Sequence, residues 1–143
     1  MKKLIVCILI MCLSGCVPEG VVEVENTVTV GIDEACIFCN GMLVYPLSVK
    51  AEDSLLTVRV AIRNHGEEYV RTPRFTLRNA AGRIQEPPMY ASMIDQTRMI
   101  QPPGIDPRGS GRFNVVWVID EEDSEWTMHV HGSSGEAVFS IRR

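Results

Sequence analysis

Two cysteines with a spacing used in redox and metal sites lie in the first third of the chain. Cys36 and Cys39 are separated by two apolar residues and are followed by Asn40-Gly41. A redox pair needs the start of a helix to lower its thiol pKa, and a zinc site needs two further ligands. Asn-Gly is a turn signal, and no second cysteine pair follows. The sequence therefore predicts a disulfide between Cys36 and Cys39 that closes a local loop, with metal binding and redox chemistry as alternatives.

A pair of histidines is the second feature that could carry chemistry. Alternate side chains of a strand share a face, so His129 and His131 should project to the same side. The apolar residues between and before them, Trp126, Met128 and Val130, take the opposite face and leave the histidines outside. Such a pair could bind copper or zinc together with soft methionine sulfur. Outward-facing histidines are more often ordinary polar residues, so the sequence predicts no cofactor and retains His129 and His131 only as candidate ligands.

Sequence patterns that mark common enzymes are missing. The chain contains no Gly-x-Ser-x-Gly elbow, phosphate-binding loop or His-Glu-x-x-His helix. Gly132-Ser133-Ser134-Gly135 has the composition of a flexible turn, and the acidic run at residues 120–123 lacks the spacing of a calcium loop. We therefore expect a protein that is not an enzyme.

The elements that position these residues are predicted to be strands. Apolar and polar residues alternate most regularly at residues 56–62, and shorter alternating runs recur along the chain as far as residues 139–141. Turn residues separate the runs at short intervals, which is typical of seven or eight short antiparallel strands. The sequence predicts one antiparallel β-sandwich domain over residues 21–143. Only residues 89–100, which are bounded by two proline pairs, could hold one or two helical turns.

The N-terminal segment has the architecture of a bacterial export signal. Two lysines precede an apolar run at residues 4–13, which is about half the length needed to span a bilayer. The run ends in Leu13-Ser14-Gly15-Cys16, which resembles the lipobox of bacterial lipoproteins. The resemblance implies cleavage after residue 15, a diacylglycerol thioether on Cys16 and acylation of the new amine. Residues 1–15 would then be a signal peptide and residues 16–20 a lipidated tether.

Charge and the position after the lipobox indicate the compartment. The formal net charge is −4 and becomes −6 when Lys2 and Lys3 leave with the signal. An acidic domain without a basic run in its sequence is not suited to nucleic acid, so we expect no nucleic-acid partner. In lipoproteins of many diderm bacteria, aspartate after the acylated cysteine signals retention in the inner membrane. Val17 occupies this position here, so the resemblance implies a lipid-anchored protein of the bacterial cell envelope, delivered to the outer membrane.

Three motifs in the predicted sandwich resemble immunoglobulin-like domains of the telokin-like type found in bacterial lipoproteins. An alternating strand ends in Asn-x-Gly at residues 58–66, and Phe-x-Leu-x-Asn-x-x-Gly follows at residues 75–82. A proline and glycine turn at residues 105–111 then leads into an aromatic strand that begins at Phe113. The resemblance implies an all-β, immunoglobulin-like sandwich of unassigned function, and it supplies no catalytic residues.

These observations favour a non-catalytic envelope lipoprotein that binds or scaffolds another envelope protein. Loops on a rigid scaffold carry binding residues, and two contact segments are predicted, residues 36–42, with an apolar tip, and residues 89–105, with Tyr90, Met93 and Ile94 beside prolines. Phe38 either packs into the end of the sandwich or is an exposed contact. The predicted partner-binding residues are Phe38, Met89, Tyr90 and Met93. Two alternatives stay open, a periplasmic copper- or zinc-binding lipoprotein and an inhibitor or immunity lipoprotein.

Overall fold

Strands joined by turns and irregular loops make up the chain that the computed structural model describes, which comprises residues 19–87, 89–92, 98–99 and 104–143. Turn-forming residues and period-2 alternation produce this architecture, so the prediction of an all-β sandwich is confirmed. The strands are β1 (Val21–Glu23), β2 (Asn26–Val30), β3 (Ala35–Ile37), β4 (Met42–Glu52), β5 (Leu55–Asn64), β6 (Arg74–Asn79), β7 (Ile84–Gln85), β8 (Met89–Ser92), β9 (Arg98–Met99), β10 (Ser110–Val118), β11 (Glu125–Gly132) and β12 (Gly135–Arg142).

Two mixed sheets form the sandwich. The first sheet has the order β1-β3-β4-β5-β10-β8-β9, and the second has the order β2-β12-β11-β6-β7. The prediction of a wholly antiparallel sandwich is wrong at two edges, because β1 pairs with β3 and β2 pairs with β12 in parallel. The cause is a short segment that changes sheets: β1 ends at Glu23, Asn26 adopts φ 58°, and β2 then joins the other sheet alongside the last strand.

The hydrophobic core fills the space between the sheets. Alternation on β5 places Val58 and Val60 inward, where they pair across the ladder with residues of β10. The largest fully buried side chains include Trp117 of the first sheet and Phe75 and Phe139 of the second. Because one face of each strand is apolar, burial of these side chains fixes the register of both sheets.

Strands occupy the described parts of the segment that could hold helical turns, which are residues 89–92 and 98–99. β8 pairs with β10, and β9 pairs with β8, so the first sheet extends beyond its central strands. The free edge of β10 supplies backbone partners that local sequence preference does not reveal. Met89 and Tyr90 lie on β8, whereas Met93 lies outside the described residues.

The predicted signal peptide and Cys16 also lie outside the described residues. Within the described part of the chain, no helix has the length and hydrophobicity needed to cross a bilayer.

Candidate functional site

The turns at one end of the sandwich come together and form the candidate site. The strand order brings the ends of β1, β3, β5 and β11 to this end of the molecule. We call this surface the loop end, and it comprises residues 24–25, 38–41, 65–73, 104–109 and 133–134.

A tight hairpin turn between β3 and β4 is the central part of the loop end. The amide of Phe38 donates to the carbonyl of Met42, and the amide of Gly41 donates to the carbonyl of Phe38, both at 2.9 Å. Gly41 has φ 90°, a conformation that residues with a Cβ rarely adopt. The Asn40 side chain completes the turn by accepting a hydrogen bond from the amide of Met42 at 3.2 Å. Asn-Gly therefore forms the turn that its sequence predicts.

Phe38 does not form the exposed contact that was expected of it. Its side chain is only 2% exposed and belongs to the main hydrophobic core. The ring packs directly on the backbone of Gly132, where even a Cβ atom would overlap it. The apolar ring thus closes the end of the core. Of the two alternatives for Phe38, packing into the end of the sandwich is the one that is observed. An exposed contact at Phe38 is therefore excluded, and its role in partner binding stays a prediction, since the ring lines the cavities on both sides of the turn.

Cys36 and Cys39 are free thiols in the structure, so the predicted disulfide between them is not formed. Cys36 lies on the inner face of β3 in the core, and burial raises the pKa of its thiol to about 12. Cys39 lies beyond Phe38 in the turn, where its Sγ is 3.4 Å from Ser133 Oγ in an exposed hydrogen bond. The strand ends between the two cysteines, which directs one thiol into the core and the other to the surface.

Ser134 joins three of the turns. Its Oγ accepts a hydrogen bond from the amide of Cys39 at 3.1 Å and donates one to the carbonyl of Val24 at 2.7 Å. Its own carbonyl accepts a hydrogen bond from the amide of Asn26 at 3.1 Å. The sequence predicted a flexible turn here, because serine between glycines gives no local sign of contacts about 95 and 110 positions away.

Asn64 fixes the opposite side of the loop end. The residue is fully buried, and its Nδ2 donates to the carbonyl of Glu68 at 2.7 Å and to that of Ile105 at 2.9 Å. Its Oδ1 accepts from the amide of Gly66 at 2.9 Å. All strong hydrogen-bonding groups of the side chain are thereby used, and two long loops are tied to the end of β5.

Two cavities flank the turn of residues 38–41. The first has a volume of about 360 Å³ and is lined by Glu23, Val24, Glu25, Ile37, Phe38, Cys39, Gly41 and His65. The second has a volume of about 240 Å³ and is lined by Phe38, Asn40, Met42, Val70, Arg71, Thr72, Pro73, His131, Gly132 and Ser133. Both cavities have mixed polar and apolar walls, which can receive side chains of a partner that carry polar groups.

The first cavity is lined by two glutamates and by a histidine, His65. Burial lowers its pKa, and the positive charges of Arg63 and Arg108 lower it further. The ring is therefore predominantly neutral at pH 7, while Glu23 and Glu25 place carboxylates among the lining residues. The first cavity is suited to a partner group that carries a hydrogen-bond donor or a positive charge.

The histidine pair lies on the outer face of the second sheet, away from the core as predicted. His129 Nδ1 contacts Glu136 Oε1 directly, and the two imidazole rings are stacked with centroids 6.3 Å apart. His131 Nε2 shares a hydrogen bond of 3.0 Å with Thr76 Oγ1. Burial lowers the pKa of His131, although the carboxylate of Glu136 opposes this shift. No three His, Cys, Asp or Glu side chains in the described part of the chain come together as ligands for a metal ion.

The sequence analysis missed Glu136, although hairpin geometry contains the necessary signal. The turn between Gly132 and Gly135 sets His131 opposite Glu136, so two residues that are five positions apart become cross-strand neighbours. Of the predicted site residues, the structure brings Phe38 and Cys39 to the loop end, and His131 of β11 lines the second cavity beside it. Cys16 and Met93 lie outside the described residues.

Comparison with protein-family models, curated proteins and solved structures gives no match to this chain. Function is therefore inferred from the residues described above.

Proposed function

We propose that this protein is a lipid-anchored lipoprotein of the bacterial cell envelope, held in the outer membrane by an acylated Cys16. Its domain is an immunoglobulin-like sandwich that acts as a non-catalytic module and binds another envelope protein through the loop end. The observation that carries the proposal is the pair of cavities on either side of the turn at residues 38–41, which hydrogen bonds hold in one conformation.

Preorganisation of the loop end supports a role in binding. Ordering a mobile loop opposes association, so a surface that is already ordered binds more tightly for the same contacts. Here Ser134 connects the turns of the β1–β2, β3–β4 and β11–β12 junctions, while Asn64 holds two further loops. A partner can therefore insert side chains into both cavities without first ordering this surface.

Connections between the sheets support the immunoglobulin-like assignment. The chain passes from the first sheet to the second between β5 and β6 and again between β10 and β11. Crossings of this kind are typical of the immunoglobulin architecture, in which loops cluster at the two ends of the sandwich.

Site-specific photo-crosslinking in cells tests the binding surface. A photoreactive residue replaces the exposed Glu25, which lines the first cavity, and the matched control replaces Asp53 in the exposed β4–β5 turn at the opposite end. We expect one or a few envelope proteins to be crosslinked from position 25 and not from position 53. Identical products from both positions, or none from position 25, would contradict binding at the loop end.

The anchor is tested separately. Mass spectrometry of the mature protein should show an N-terminal cysteine that carries a diacylglycerol group and an amide-linked acyl chain. Replacement of Cys16 by Ser should release the protein from the membrane fraction, because the acyl chains provide the attachment. An unmodified N-terminus, or equal membrane association of C16S, contradicts the lipoprotein assignment.

A further inference from the structure

Three arginines form a stripe on the face of the first sheet that points away from the second sheet, which we call the outer face. Arg59 and Arg63 lie on β5, and Arg112 lies on β10. Strand register places Arg112 beside Ala61, between the two β5 arginines, whereas Val60 pairs with Phe113 on the buried side. Period-2 alternation therefore puts all three guanidinium groups on the same side of the sheet.

The arginine stripe lacks the carboxylate partners found on the second sheet. On that sheet Arg74 approaches Glu86 at 3.8 Å, and Arg142 approaches Glu125 at 3.4 Å. None of the three stripe arginines forms an ion pair within the portion of the chain that is described. Elsewhere on the outer face, Lys50 pairs with Glu52 at 2.9 Å, and Glu23 lies at the β1 edge. In a chain of net charge −4, this stripe is a local concentration of unpaired positive charge.

Exposed apolar side chains lie at the far end of the same face, beyond Asn114 and Val116 of β10, which are buried. Leu55 and Val118 are opposite each other on β5 and β10, and they are 43% and 56% exposed. Nearer the first strand, Tyr45 and Ile37 pack on a small apolar cluster that includes Val21. A surface that combines arginines with exposed aliphatic groups matches the chemistry of a lipid interface, where charged headgroups lie above acyl chains.

The proposed anchor is only a few residues from the same face along the sequence. The side chain of Val21 belongs to the outer-face cluster, and Val21 is five residues after Cys16. Five residues span at most about 18 Å even when fully extended. An acylated Cys16 would therefore hold the first strand of this sheet close to the headgroups, at a distance where surface charge is still felt at low ionic strength.

We propose that the outer face of the first sheet docks on anionic lipid headgroups of the membrane that holds the acyl anchor. The inference rests on the lipid anchor of the proposed function and specifies how the domain is oriented. Arg59, Arg63 and Arg112 contact phosphate groups, and Leu55 with Val118 enters the boundary with the acyl chains. The sandwich then lies with its strands along the membrane, which leaves the loop end at its side open to a protein partner.

The experiment uses the acylated full-length protein in vesicles, with a fluorescent donor on Cys39 and an acceptor on lipid headgroups. Cys39 is exposed and Cys36 is buried, so labelling is selective. Energy transfer should be higher in vesicles of phosphatidylcholine with phosphatidylglycerol than in phosphatidylcholine alone. The difference should disappear as salt is raised from about 0.1 M to about 1 M, because the Debye length falls from about 10 Å to about 3 Å.

Two triple variants of equal charge change distinguish the face from the net charge. R59Q/R63Q/R112Q should lose the dependence on phosphatidylglycerol, and R78Q/R83Q/R142Q, which changes exposed arginines elsewhere, should retain it. Equal transfer in both kinds of vesicle for the unaltered protein overturns the proposal, as does an equal loss in both variants. A third outcome also overturns the proposal. If lipid charge does not change the energy transfer, and an acidic protein is crosslinked to the unaltered protein but not to R59Q/R63Q/R112Q, the face binds protein and not membrane.

Mass spectrometry of the same preparation separates this inference from the proposed function. An acylated protein whose energy transfer ignores lipid charge contradicts docking alone. A protein without acyl chains contradicts the anchor and, with it, the docking that depends on it.

Discussion

Asn64 shows how one buried polar side chain can organise a surface. It lies at the end of β5, is fully buried and forms three side-chain hydrogen bonds to backbone groups of the surrounding loops. A buried polar group that is fully hydrogen-bonded stabilises one arrangement, because any other arrangement would leave donors or acceptors unpaired.

Replacement of Asn64 by Ala should destabilise the fold by about 3 kcal/mol, because several buried backbone groups lose their partners. The free energy of unfolding is measured in urea. The matched control is N79A, since Asn79 Oδ1 accepts one exposed hydrogen bond from the amide of Arg83 at 2.9 Å. N79A should cost about 1 kcal/mol or less. Equal losses in the two variants would show that Asn64 does not hold the loops.

The two cysteines of the C-x-x-C motif should differ in reactivity. A maleimide reagent should add once to the native domain, at the exposed Cys39, and should add also to Cys36 after denaturation. The reason is that burial excludes the reagent and raises the pKa of the Cys36 thiol to about 12, which suppresses the reactive thiolate. Mass spectrometry of native and denatured samples, with peptide mapping, gives the count at each site. A disulfide would block both residues in both samples.

Stability should fall as the pH is lowered through the range where histidine titrates. Burial lowers the pKa values of His65 and His131 in the folded protein below 6.5, so the unfolded chain binds protons at higher pH than the folded chain. Their contribution is therefore complete above about pH 6.5 and is lost as the pH falls through the folded pKa values.

Urea unfolding at about pH 7.5 and about pH 5.5 measures this contribution. We expect the unaltered protein to lose stability at the lower pH, and the variant H65Q/H131Q to lose less. The same decrease in both proteins would assign the pH dependence to other groups.

The strand that changes sheets depends on a close approach between backbones. At the start of β12, Gly135 has φ 147° and lies against Asn26, where β2 begins its parallel pairing. A Cβ atom at this position would overlap the Asn26 carbonyl oxygen. Glycine is therefore required both by the conformation and by the neighbouring chain.

G135A should destabilise the protein by at least about 2 kcal/mol, because strain in the backbone is combined with loss of the β2–β12 contact. The control is G82A, since Gly82 has φ 90° but nothing lies within 4 Å of an added Cβ. This variant should cost about 1–2 kcal/mol from conformation alone. Unfolding free energies test the difference, and hydrogen exchange should show increased exchange in β2 only for G135A. Equal costs would exclude a role for the close approach.

The two sheets share one core, which makes the sandwich a single cooperative unit. Trp117 contributes from the first sheet and Trp126 from the second, and both are in the same buried cluster. Neither sheet can keep its inner face buried without the other, because each supplies the apolar surface that covers its partner.

The single-tryptophan variants W117F and W126F test this cooperativity. Neither indole N–H has a hydrogen-bond partner within the described residues, so phenylalanine removes no such bond. In each variant, the fluorescence of the remaining tryptophan reports one sheet, and far-UV circular dichroism reports both. The two methods should give the same urea midpoint. Separate midpoints would show that the two sheets unfold independently.

Local sequence patterns predicted where strands form more accurately than they predicted which strands pair. Alternation at residues 56–62 identified the centre of β5, and Asn-Gly identified the turn after Cys39. Residues 89–92 formed a strand and not a helical turn, because the available edge of β10 outweighed their local preference. The parallel pairing of β2 with β12 was equally hidden, because the two strands are about a hundred residues apart in the sequence.

Period-2 alternation and turn chemistry, both properties of near neighbours, were sufficient to determine from the sequence an all-β sandwich with His129 and His131 off the core. Only the tertiary structure decided that Phe38 closes the core, that Cys36 and Cys39 point apart, and that Ser134 and Asn64 hold the loop end. These outcomes depend on which distant backbone groups and side chains meet when the two sheets pack, and spacing along the chain does not encode those meetings.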